Sequence, residues 1–185
     1  MAQTQKTYLG DTQFTRSYMG DNLYQMASSA GENPLGKFLY GGYVFYIDGT
    51  DWYIAYNLNL SGDFADVLGI NCGTTNGLGT GPNNTQLLSN NGSAVATAAL
   101  NATYNGKTDW FIPSYDLLGI MCNNKVYIPN FASGNYRSST EGIGGSASFY
   151  IGSTDISTCN LSASTYKSLA FGSYSTRVVR KEIVT

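Results

Sequence analysis

Few residues in this chain are equipped for catalysis, and their types set narrow limits. Histidine is absent, which removes the commonest general base, the usual partner of a nucleophilic serine and a frequent zinc ligand. Acid–base work would fall to paired carboxylates. Asp63 and Asp66 are the close pair in a loop-like context, whereas Asp48 and Asp51 flank a turn. With Asn71 the first pair offers hard oxygen ligands of the kind calcium takes, but the spacing is not that of an EF-hand. Cys72, Cys122 and Cys159 are odd in number and unrelated in spacing, so neither a disulfide framework nor a CxxC metal site is expected. Cys122 reads as a small buried apolar residue, and neither it nor Cys159 has an evident basic neighbour to lower its thiol pKa. The Gly77-Leu78-Gly79-Thr80-Gly81 run lacks a following Lys-Ser/Thr and a strand-to-helix setting, so it reads as a flexible loop, not a phosphate cradle. No catalytic residue, metal or cofactor is expected, and the chain reads as non-enzymatic.

Binding chemistry is better represented. Tyrosine offers a rigid apolar ring and a hydroxyl at low entropy cost. Tyr136, Tyr150, Tyr166 and Tyr174 fall in the late strands and their loops, beside Asn135, Arg137 and Asn160. The first six of these apart from Asn160, namely Asn135, Tyr136, Arg137, Tyr150, Tyr166 and Tyr174, form a candidate ligand-facing set. Packing against the sheet is the competing role for each tyrosine. Trp52 and Trp110 sit in strong strand patterns and read as core.

The elements that must position these groups are short. Residues 38–47 form an aromatic strand whose Gly41-Gly42 pair permits a bulge or close backbone approach. Asp48-Gly49 turns it into a strand over 51–60. Residues 61–84 are a long Gly/Asn/Asp-rich loop, of a size that is usually functional or disordered. One helical turn is predicted over 85–90. A better helix spans 93–104, capped by Ser93, with a small apolar face on Val95, Ala98, Ala99 and Ala102, and ended by Asn105-Gly106. A short strand at 109–112 stops at Pro113. Ser114 then caps a helix with Asp116 in its first turn and Leu117, Leu118, Ile120 and Met121 as apolar positions. Further strands are predicted at 127–128, 135–139, 147–153, 166–171 and 176–183. Hairpins first, two modest helices and a closing meander amount to an α+β fold.

The first part differs in kind. Tyr8-Leu9-Gly10-Asp11 returns as Tyr18-Met19-Gly20-Asp21, with Phe14 and Tyr24 after each copy. Two strand starts turned by Gly-Asp make a β-ribbon too small to bury its own aromatic rings. It must lie on its own domain, on a copy of itself or on another protein. The expected organisation is a β-ribbon docking arm at 1–26, a Pro/Gly-punctuated linker at 27–37 and a domain at 38–185.

Bulk properties agree with that division. The chain has 185 residues, enough for a real core, and a net charge of −2, which gives no footprint for nucleic acid. Charged residues are 12% of the total, far below the usual quarter, so the surface relies on neutral polar groups. The basic cluster Arg177, Arg180 and Lys181 is expected to be a solvated strand edge. No apolar run suits membrane insertion, and MAQTQKTYLG has no signal-peptide core, which points to synthesis in the cytoplasm. Sequons at Asn83, Asn91, Asn101 and Asn160 are then by-products of composition.

Three segments occur in one order: Trp110-x-x-Pro113-Ser114-x-x-x-Leu118, Tyr136-x-Ser138-Ser139-Thr140-Glu141 and Arg177-Val178-Val179-Arg180. Together they resemble the DUF1566 (Lcl C-terminal-like) family, a branch of the C-type-lectin-like and formylglycine-generating-enzyme-like fold, over about residues 39–182. The resemblance implies neighbouring N- and C-terminal strands, a loop-rich upper half over a small two-layer core, and ligand-facing positions in the late part of the domain. The EPN and WND motifs of calcium-dependent sugar-binding lectins are absent, and nothing around Cys122 and Cys159 matches the reactive pair of the formylglycine-generating enzymes. The Tyr-Leu-Gly-Asp units resemble N-terminal segments of phage virion proteins. That likeness implies a virion location, with Tyr8, Leu9, Gly10, Asp11, Phe14, Tyr18, Met19, Gly20, Asp21 and Tyr24 docking on other virion proteins. The expected role is a capsid, neck or tail decoration or fibre, as an oligomer or many-copy assembly, with a host-surface glycan or protein as possible ligand. A bacterial cell-surface adhesin domain of the same family is the alternative.

Overall fold

The computed structural model describes residues 4–9, 12–19, 22–23, 32–60, 62, 64–131, 133–142, 150–167 and 174–185. The chain divides into two compact units, Met1–Pro34 and Leu35–Thr185. The boundary falls inside the expected linker. Gly36 N–H donates to Val44 O at 2.8 Å and Val44 N–H to Lys37 O at 3.1 Å, so the end of that segment belongs to the second unit.

The first unit contains three antiparallel strands, β1 (Thr4–Leu9), β2 (Thr12–Met19) and β3 (Asn22–Leu23). Leu9 pairs with Thr12 and Met19 with Asn22. The strands therefore end where the two Gly-Asp pairs begin, which is the hairpin logic of the repeat. Gly10, Asp11, Gly20, Asp21 and Tyr24 lie outside the described residues, as do the side chains of Tyr8, Leu9, Phe14, Tyr18 and Met19.

The second unit has the expected α+β composition. Its strands are β4 (Phe38–Leu39), β5 (Gly42–Asp48), β6 (Asp51–Leu60), β7 (Asn135–Glu141), β8 (Tyr150–Asp155), β9 (Asn160–Tyr166) and β10 (Tyr174–Ile183). They form one sheet in the order β4-β5-β6-β10-β7-β8-β9. Its pairs are antiparallel except β10 with β7, which is parallel. Strand β10 thus joins the early hairpin to the late meander. Three helices, α1 (Gly81–Asn90), α2 (Ala94–Leu100) and α3 (Tyr115–Asn123), intervene in the chain.

Adjacent residues of β10 serve different apolar layers because strand side chains alternate. Val179 packs with Phe45, Tyr53, Leu117, Leu118, Met121 and Phe131. Val178 packs with Leu88, Val95, Ala96, Ala99, Trp110 and Ile112. The sheet is covered on both faces, which explains the unbroken burial of residues 176–180. A single layer between sheet and helices does not describe this core.

Local departures from expectation have identifiable causes. Residues 38–47 are two strands, because Tyr40 (φ 54°) and Gly41 (φ 93°) make a tight turn between β4 and β5. Gly42 does make a close approach: a Cβ there would lie 2.5 Å from Ala55 O. Helix α1 is a full ten residues, where one turn was expected. Ser93 caps α2 as anticipated, its hydroxyl accepting from Ala96 N–H, but α2 stops at Leu100. Asn105 (φ 51°) and Gly106 (φ 74°) instead turn a small bridge between Tyr104 and Lys107. Ser114 caps α3 through Leu117 N–H. Segment 109–112 makes one bridge, Phe111 with Val179, and residues 125–127 form a 3-10 turn where a strand was predicted. Strand β9 (Asn160–Tyr166) was not expected, and of the strand expected at 166–171, residues 168–171 lie outside the described residues.

Candidate functional site

Of the four late tyrosines, Tyr136 and Tyr174 have described side chains. Tyr136 is 3% exposed, and its hydroxyl accepts from Asn59 Nδ2 at 3.1 Å and Arg177 Nη2 at 3.4 Å. Arg137 is 1% exposed, donates to Lys167 O at 3.0 Å and lies 4.8 Å over the half-buried Tyr174 ring. Neighbouring strand residues point to opposite faces, and both of these are buried because the sheet is covered on each face, so neither side chain is presented on the surface. Asn135 is partly buried beside them. Tyr150 and Tyr166 pair across β8 and β9, with their side chains outside the described residues.

The long loop is ordered by its anchors. Glu141, at the end of β7, accepts from Cys72 N–H (3.0 Å), Thr74 N–H (3.2 Å) and the Thr74 hydroxyl (3.3 Å). Lys167 donates to Glu141 Oε1 at 2.6 Å and to Ile70 O at 2.8 Å. Both side chains of this ion pair are 1% exposed or less. Asn84 of α1 holds Thr75 through both of its amide atoms, and Asn76 donates to Asp116 on α3. Burial pushes the Glu141 carboxyl up, but the hydrogen bonds from Cys72, Lys167 and Thr74 outweigh it and leave the group below its ordinary value. Gly77 to Thr80 lead directly into α1 at Gly81, so this run does precede a helix.

The cysteines correct the sequence reading. Cys122 and Cys159 are joined in a disulfide, with Cα atoms 5.6 Å apart, which ties α3 to the β8–β9 turn. The Lys125 ammonium reinforces the same junction, donating to Ile156 O at 2.7 Å and Ser157 O at 3.1 Å. Neither partner was recognisable from a spacing of 37 residues. Cys72 is free and buried, and burial beside Glu141 pushes its thiol up to about 11. It is therefore protonated and a poor nucleophile at neutral pH.

The C-terminal basic residues are also different from a solvated edge. Arg177 is 1% exposed and donates to Tyr56 O and Asn130 O, both at 2.7 Å. Arg180 is 4% exposed and grips Asp109 with two bonds, Nε to Oδ1 at 2.7 Å and Nη2 to Oδ2 at 2.9 Å. Burial pushes the Asp109 carboxyl up, and Arg180 more than reverses the effect. Lys181 remains exposed and pairs with Asp51 at 2.8 Å.

These groups border an open cleft of about 350 Å³ lined by Pro82, Gln86, Leu100, Thr108, Asp109, Trp110, Phe111 and Lys181. Helices α1 and α2 supply one wall, and residues 108–111 with β10 supply the other. The sequence holds a signal for this face that motif searching misses: no charged residue lies between Asp66 and Lys107. That uncharged stretch covers the anchored loop, α1 and α2.

Two residues of the long loop have structural partners. Asp66 accepts from Ala94 N–H at 2.6 Å at the start of α2, and Asn71 closes a turn on Gly73 N–H, so these two former calcium candidates have local roles. Asp63 lies outside the described residues. Among the described residues, no group of three or more His, Cys, Asp or Glu is placed to hold a metal ion, and no helix is long and apolar enough to cross a membrane. No family model matches the chain, and no curated protein matches it. Among the described residues the arrangement offers hydrogen bonding on a frame tied by buried ion pairs and a disulfide.

Proposed function

We propose that the protein is a non-enzymatic structural component of a bacteriophage virion, with a C-type-lectin-like domain displayed for host-surface adhesion or particle stabilisation. The observation that carries this reading is the division into a three-stranded ribbon built on repeated Tyr-x-Gly-Asp units and a separate, much larger domain. A sheet this small needs another surface to be stable, and a docking arm supplies the reason for keeping it.

The domain's features support a lectin-type scaffold of the DUF1566 kind. The early hairpin β5–β6 lies directly beside the C-terminal β10, α3 carries its Ser114 cap, and a long loop is built over the sheet by side-chain anchors. The sparse charge suits close packing of many copies, where weak individual contacts gain avidity. A bacterial surface adhesin would share the scaffold and the disulfide; the repeated ribbon is the feature that favours the virion reading. Quantitative mass spectrometry of purified particles tests the assignment: the chain is expected at a fixed ratio to the major capsid protein, and its absence from particles would overturn it.

A further inference from the structure

We infer that the cleft between α1, α2 and residues 108–111 is a binding site for a neutral, hydroxyl-rich ligand of the saccharide class. This rests on the binding-domain part of the function proposed above and names the ligand chemistry for it.

Charge is the first argument. Asp109 pairs with Arg180, which also holds Glu182 at 2.7 Å; Glu182 lies 3.7 Å from Lys107, and Lys181 pairs with Asp51, so cations and carboxylates balance beside the cleft. The wall formed by α1 and α2 belongs to the stretch without a single charged side chain. The cleft thus has no net field to attract an anion or a cation, and an ionic ligand would have to compete with an existing ion pair.

Lining chemistry is the second. The lining mixes polar and apolar groups: Gln86, Thr108, the half-exposed Asp109 carboxylate and Lys181 with Pro82, Leu100 and Phe111. Donors and acceptors are both present, as a hydroxyl-bearing ring with an apolar face requires. Salt bridges hold two of the polar groups in place before a ligand arrives, which lowers the ordering cost of binding. A volume of about 350 Å³ accommodates one or two sugar rings. Trp110 is 1% exposed, with its ring nitrogen donating to Lys107 O, so its ring face is not presented for stacking on a ligand.

The test is ¹H–¹⁵N chemical-shift mapping of the full chain. The probes are methyl β-glucoside, methyl β-galactoside and N-acetylglucosamine, compared with N-acetylneuraminate and glucosamine as charged sugars. At least one neutral probe is expected to shift the amides of Gln86, Thr108 and Lys181 together, with affinity on the order of millimolar. Gln86→Trp fills the cleft from an exposed helix position and should abolish those shifts without changing the melting temperature. Lys181→Met keeps the aliphatic stem and removes one donor, so affinity for a neutral sugar should fall by less than about tenfold and stay independent of salt, whereas an anionic ligand would lose about tenfold or more and weaken as salt rises. Absence of shifts at the cleft with every neutral probe overturns the inference. So does preferential binding of a charged sugar there, or a response that survives Gln86→Trp. None of these outcomes bears on whether the chain is found in particles, so the two readings fail separately.

Discussion

Lys167 Nζ lies 2.6 Å from Glu141 Oε1, with both side chains shut off from solvent. Such a pair adds little net stability, because its desolvation cost is comparable to its Coulomb gain. What it does here is geometric. Glu141 fixes Cys72 and Thr74, while Lys167 fixes Ile70, so one ion pair sets the course of the loop between β6 and α1. Glu141→Gln should cost about 3–5 kcal/mol, since it leaves a buried ammonium without its counter-charge. The pH dependence has a defined sign. A carboxyl held below its ordinary value stabilises the fold above roughly pH 4.3 and loses that contribution as pH falls through the lower folded value. Thermal melts from pH 7 to pH 3 should show the gap between wild type and Glu141→Gln narrowing towards acid. A gap that stays constant would mean that ionisation of Glu141 is not the source.

The Cys122–Cys159 bridge closes a loop of 37 residues. In the chain-entropy account a loop of that length is worth up to about 4 kcal/mol. A Cys122→Ser/Cys159→Ser double variant should therefore melt well below the oxidised protein and close to wild type held in reductant. Hydrogen exchange should localise the loss of protection to the β8–β9 turn. Equal melting temperatures with and without reductant would remove the bridge from the account.

Gly42 has no room for a methyl group. The Ala55 carbonyl oxygen would lie 2.5 Å from the new Cβ and the Ile54 side chain 2.9 Å away, and a backbone atom inside a sheet cannot swing aside. Gly42→Ala should cost about 1–3 kcal/mol by overpacking. Gly49→Ala, in the open β5–β6 turn where nothing lies within 4 Å, should cost less and act only through its positive φ. Equal losses at the two sites, read from denaturant midpoints, would contradict the close packing of β5 on β6.

Elements whose cause is local were legible in the sequence. The Ser93 and Ser114 caps, the Asp48-Gly49 hairpin and the Gly42 approach each depend on a few neighbouring residues. What escaped depends on partners distant in the chain. Arg180 gave no sign of its grip on Asp109, 71 positions away, nor Lys167 of its pairing with Glu141. Tyr136 stood out as a tyrosine in a late strand beside polar residues, and only its packing with distant Phe45, Phe131 and Val179 explains why it is buried. The cleft was invisible as a motif, because its character lies in a lack of charge over α1 and α2 and not in any reactive residue.

The most direct test of the central claim is removal of the ribbon. A chain lacking residues 1–26 should keep the melting temperature and the Cys122–Cys159 bridge of the intact protein yet fall to background in purified particles, where the intact chain is retained. Undiminished incorporation of the shortened chain would contradict the docking role of the ribbon and, with it, the reading of this protein as a component tethered by its N-terminal strands.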